Sequence, residues 1–168
     1  WSSTKSKIRS TLIASSWPVI RLGGMTAMQL AGGRYAPQQI DAICARDPGE
    51  LICDLTEMWQ LGQTPEDRTT MSQDLSDNRI KGFAVLDLGG TQVFSEQSLS
   101  SINVPLLVIG APKDAPGSLD LDRESRALVA QLPEEHVTYI EPENLAHFDF
   151  LGLCTDKAIP ILEDEMPG

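Results

Sequence analysis

Histidine is nearly absent from this sequence, with only His136 and His147 among 168 residues. Cations are also scarce: 13 Lys and Arg stand against 24 Asp and Glu, a formal net charge of -11. Aromatic residues make up 5% of the chain and cysteines number three. Each shortage excludes something. Too few cations exclude nucleic acid and anionic membrane surfaces as partners, because phosphates need basic patches. No apolar run approaches the roughly 18 residues that cross a bilayer, so no membrane span is expected. Lys5, Lys7 and Arg9 precede only a short apolar stretch broken by Ser15, Ser16 and Pro18, which does not make a signal peptide. Two histidines so placed cannot build a His-rich zinc site, and no Gly-x-Gly-x-x-Gly follows a strand, so neither metal nor cofactor is expected. Sparse, odd-numbered cysteines fit a reducing compartment, cytoplasmic rather than secreted. Cys44, Cys53 and Cys154 are expected as free buried thiols. Cys44 and Cys53 could pair only if their helices lie side by side.

What the sequence does hold is apolar runs of strand length. Residues 82–86, 104–109 and 137–140 each carry one, bounded by Asp, Gly or Pro. Continuous rather than alternating runs suit parallel strands covered on both faces. A fourth strand is expected at residues 11–14. Helices are expected at 24–32, 37–46, 50–61, 65–75, 121–132 and 156–165, from apolar spacing and from Gly and Pro punctuation. Residues 60–77 form the most polar stretch, a candidate loop or cover. The order of elements predicts one mainly parallel, three-layer α/β domain with a sheet of about four strands and helices on both faces.

In such sheets, reactive groups gather where strands end. His136 precedes the strand at 137–140 and so sits at the wrong edge; it reads as a surface histidine. His147 follows that strand on a loop and is the candidate general base. Asp114 follows the strand at 104–109 and is the first choice for the carboxylate that orients His147. Asp87, which ends the strand at 82–86, is the second choice. Either could instead be a turn aspartate bonding backbone N–H groups.

Several segments resemble serine-dependent α/β-hydrolases. Residues 102–114 (INVPLLVIGAPKD) are similar to the family's strand leading to the triad acid. Residues 146–151 (AHFDFL) are similar to its histidine loop, and residues 77–87 also fit. The likeness is greatest to dienelactone-hydrolase-like and platelet-activating-factor-acetylhydrolase-like esterases, and it spans about residues 23–153. In the acetylhydrolase branch the acid corresponds to Asp87. The resemblance implies a shortened α/β-hydrolase fold and hydrolysis of small or short-acyl carboxylic esters by a Ser-His-Asp mechanism.

The resemblance fails where the nucleophile belongs. Residues 22–27 (LGGMTA) match the family from the fourth position of its Gly-x-Ser-x-Gly elbow onward, but Val19, Ile20 and Arg21 replace the Gly-His-Ser that should precede them. Arginine cannot form an acyl-enzyme. Codons for Gly-His-Ser, read one base out of phase, spell Val-Ile-Arg, so a shifted reading frame before residue 22 would account for the mismatch. Residues 1–22 are accordingly set apart as an atypical N-terminal segment, with 23–168 as the hydrolase-like part. Ser16 is the best substitute nucleophile and Ser15 the next. Backbone N–H groups near Leu22 and Gly23 would supply half of an oxyanion hole. A sheet lacking the family's earlier strands would have a bare edge, which predicts a homodimer through that edge or through exchanged N-terminal segments. The alternative reading is a catalytically dead relative or fragment that only binds a ligand or partner.

Overall fold

The computed structural model describes residues 19–113, 119–150 and 159. The expected strand at 11–14, Ser15, Ser16, Asp114, Cys154 and all but residue 159 of the expected helix at 156–165 lie outside the described residues.

The first helix, α1 (Val19–Ala31), starts earlier than the residue-24 boundary expected. Met25, Met28 and Ala31 recur at a spacing of three and are buried, the stripe that an amphipathic helix presents to a core. Two glycines stop it. Gly32 has φ +117°, its N–H bonds Gln29 O at 3.0 Å, and the Gly33 N–H bonds Met28 O at 2.8 Å. These two bonds satisfy carbonyls that the helix end would otherwise orphan. Gly24 works differently, through its missing side chain. A Cβ there would lie 2.9 Å from Leu88 Cδ1 and 3.6 Å from Val85 Cγ1, so glycine lets α1 approach the first strand closely.

Helices α2 (Pro37–Arg46) and α3 (Leu51–Met58) follow. Proline opens α2 at a position where its missing N–H is harmless. Cys44 and Cys53 join these helices through a disulfide, which corrects the expectation of free thiols: the helices do lie side by side. The polar stretch holds a helix, α4 (Pro65–Met71). It is capped reciprocally: the Asp67 N–H donates to Thr64 Oγ1, and the Thr64 N–H donates to Asp67 Oδ2. Arg68 then ties α4 to α2 with a bidentate pair to Asp41, at 2.6 and 2.9 Å.

Three strands form one parallel sheet in the order β1 (Phe83–Leu86), β2 (Leu106–Ile109), β3 (Val137–Ile140). The expectation of about four strands is met by three among the described residues. A short helix, α5 (Glu96–Leu99), lies between β1 and β2, and α6 (Ser125–Val129) between β2 and β3. The apolar spacing had suggested a helix over 121–132. Residues 120–124 instead form a turn, with the Arg123 and Glu124 N–H groups both bonded to Asp120 O.

Register decides which face is covered. Phe83, Leu106 and Val137 align across the sheet, as do Val85, Val108 and Tyr139. This face joins Met25, Met28, Phe94, Leu99, Leu128 and Leu132 in one core cluster. The other face carries Ala84, Leu86, Leu107, Ile109, Thr138 and Ile140. Thr138 and Ile140 are exposed and the rest half-buried. Cover on both faces, expected from the continuous apolar runs, is therefore met on one face among the described residues.

Candidate active site

Parallel strands deliver all their following loops to one edge of the sheet, and the chemistry collects there. Asp87 is the first residue after β1. Its N–H continues the ladder to Ile109 O at 2.7 Å. Its backbone then turns into the left-handed region at φ +45°, where Asp and Asn are tolerated better than most residues. The turn leaves the carboxylate fully buried. Oδ1 accepts the Ala111 N–H from the loop after β2, at 3.0 Å. Oδ2 lies 2.5 Å from His147 Nδ1.

His147 arrives from the loop after β3, where it opens a 3-10 turn over His147–Phe150. Asp149 fixes that turn. Its carboxylate accepts the Ala146 N–H at 2.8 Å, while its own N–H bonds Ala146 O at 3.0 Å. A bond from the Lys113 N–H to Leu145 O, at 3.1 Å, ties the loop after β2 to the histidine loop. The Phe148 ring meets the imidazole edge-on, with centroids 5.0 Å apart.

The chemical content of the pair follows from donor counting. An ionised carboxylate only accepts, so His147 Nδ1–H donates to Asp87 and the imidazole's second nitrogen, Nε2, is left to act as a base. Both groups are almost wholly removed from water, with 0% and 4% exposure. In a low-dielectric setting such a charge-assisted bond holds ring orientation and tautomer strongly.

Asp87, the second-choice acid, meets His147; Asp114, the first choice, lies outside the described residues, one position beyond Lys113. His136 falls in a 3-10 turn before β3, at the opposite edge from the pair. Leu22 and Gly23, the residues chosen for the oxyanion hole, lie in the opening turns of α1. With α1 starting at Val19, helical geometry directs the N–H of its fifth residue at the carbonyl one turn back. The Gly23 amide is thereby spent within the helix, and the Leu22 amide lies at the margin of the first turn. Ser125 is fully buried and its hydroxyl finds no hydrogen bond among the described residues. At zero exposure it is closed to any ester carbonyl and offers no replacement nucleophile.

No group of three or more His, Cys, Asp or Glu residues suited to a metal ion occurs among the described residues. A cavity of about 250 Å³ opens between α2 and α4, lined by Ile40, Cys44, Leu61, Arg68 and Met71 among others. It shares no residue with the His147–Asp87 pair, and its guanidinium is taken up by Asp41 and by Gly62 O. Among the described residues no helix is long and apolar enough to cross a membrane. Comparison with protein-family models, with curated proteins and with solved structures finds no match for this chain.

Proposed function

We propose that the chain is a carboxylic ester hydrolase of the α/β-hydrolase type, acting on small or short-acyl esters with His147 as general base and Asp87 as the carboxylate that orients it. The observation that carries the reading is the buried contact between Asp87 Oδ2 and His147 Nδ1, 2.5 Å long, at the strand-end edge of a parallel sheet, where catalytic groups of such sheets gather. In the mechanism, His147 Nε2 takes the proton from a serine hydroxyl as that oxygen attacks the ester carbonyl. The resulting imidazolium is stabilised by Asp87, and the proton then passes to the leaving alcohol. Ser16, then Ser15, is the proposed nucleophile. The same proposal includes a homodimer, with a second copy pairing along β1, which borders the described sheet. Sedimentation as a monomer would remove that part.

A second reading has its own support. Arg21 stands where the serine is expected, and α1 is already helical at Val19 and Ile20, where a Gly-x-Ser-x-Gly elbow would make its strand-to-helix turn. That favours a catalytically dead relative that binds a ligand or partner. Fluorophosphonate labelling with mass-spectrometric mapping separates the two. An adduct on Ser15 or Ser16 that disappears in His147→Ala supports the hydrolase. No adduct, together with no turnover of short-chain nitrophenyl esters, leaves the binding protein.

A further inference from the structure

The turn that carries Asp87 is held from a distance by a residue that motif spacing does not single out. Glu124 sits just before α6, and its Oε2 accepts the Thr91 N–H at 2.9 Å. Thr91 Oγ1 returns a bond to the Glu124 carbonyl at 3.1 Å. Thr91 is buried and Glu124 is partly so. Glu124 thus grips Thr91 at both its backbone N–H and its hydroxyl, just after Gly90, whose φ of +86° turns the chain.

We infer that Glu124 is a positioning residue for the His147–Asp87 pair: by clamping Thr91 it fixes the turn whose first residue, Asp87, holds a left-handed backbone and meets His147. The inference rests on the reading of that pair as an acid–base couple. Only Leu88, Gly89 and Gly90 separate Asp87 from Thr91. A non-glycine residue at φ +45° is strained and persists only where its surroundings over-determine it. Asp87 is restrained upstream by the ladder bond to Ile109 and at its side chain by Ala111 and His147. Downstream, the Glu124 clamp completes the set. Desolvation pushes the Glu124 carboxyl above the usual range, and the bond from the Thr91 N–H works against that.

Imidazole NMR on the full chain tests this without requiring turnover. With two histidines in the sequence, a His136→Gln variant assigns the spectrum. The Nδ1–H proton of His147 should resonate far downfield in the unsubstituted protein; its absence there would overturn the inference at its base. Glu124→Ala should move that resonance upfield or lose it to exchange, and Glu124→Gln, whose side-chain oxygen still accepts from the Thr91 N–H, should restore it. Should Glu124→Ala fail to fold, Glu124→Asp, with a shorter reach, should show the same displacement. A folded Ala or Asp variant that keeps the resonance unmoved, however far its Tm drops, overturns the inference and leaves Glu124 a purely structural residue. Where esters are turned over, kcat should fall roughly tenfold to a hundredfold in Glu124→Ala with KM retained. A protein with no turnover whose resonance still responds to Glu124 sinks the hydrolase reading and leaves the positioning role standing.

Discussion

At the scale of single residues, Asp87 and Asp114 make opposite predictions. Asp87 is buried and bonded to His147. Asp87→Asn keeps the shape and the left-handed backbone but offers the imidazole an amide that can select the wrong tautomer. Turnover of a short-chain ester should fall by about 10³–10⁴-fold, the scale seen when a triad acid is amidated. Asp114→Asn should leave turnover within a few-fold. The reverse pattern in steady-state kinetics would return the acid to Asp114. Gly24 tests packing instead. Valine there drives a branched side chain against Leu88 and Val85, both fully buried. Overpacking of that kind destabilises by about 1–3 kcal/mol, which urea unfolding of Gly24→Val should report.

At the scale of elements, the legible parts were those with a local signal. The runs at 82–86, 104–109 and 137–140 announce β1, β2 and β3 because burial of a short parallel strand needs consecutive apolar residues. Proline at 37 and the Gly32-Gly33 pair announce a helix start and a helix stop. His147 is legible because it follows a strand while His136 precedes one. Glu124 is not legible, since its partner Thr91 stands 33 residues away in sequence and no spacing rule links them. The contact of Asp87 with His147 was open for a similar reason: Asp87 and Asp114 each follow a strand, and the contact depends on the left-handed turn after β1. The disulfide was hidden because pairing Cys44 with Cys53 depends on how α2 packs on α3.

Two element-level predictions follow from those contacts. The Cys44–Cys53 bond closes a short loop, with a sequence separation of nine. Its loss in Cys44→Ser/Cys53→Ser should destabilise by about 2–3 kcal/mol on the chain-entropy account, read by thermal unfolding with and without reductant. At the end of β3, Glu141 accepts from Arg126 of α6 at 2.7 and 2.8 Å, and from Tyr139 Oη at 2.5 Å. The Arg126 bonds foremost, then Tyr139, hold its carboxyl down to about 2. A depressed carboxylate contributes stability that is present above its unfolded pKa and is lost as pH falls toward its folded one. Stability should therefore decline between about pH 5 and pH 2, and Glu141→Gln should flatten that decline. An unaltered acid limb in the variant would mean the pair contributes nothing measurable, as exposed ion pairs often do.

At the scale of the whole molecule, excess negative charge works against compactness. A formal charge of -11 repels itself, so moderate salt should raise Tm through screening; a Tm that falls with salt would show that attractive pairs such as Arg126–Glu141 dominate instead. The assembly of the site has a different consequence. His147 and Asp87 are 60 residues apart, Glu124 and Thr91 are 33 apart, and Ala111 and Asp87 are 24 apart. Nested loops of this kind close only after all three strands have docked, and contacts so distant in sequence are slow to form. The downfield proton of His147 is thus a gauge of complete folding: it should emerge last in a refolding experiment, well after helical signal has returned. No peptide cut from the chain between residues 88 and 146 could carry the pair on its own.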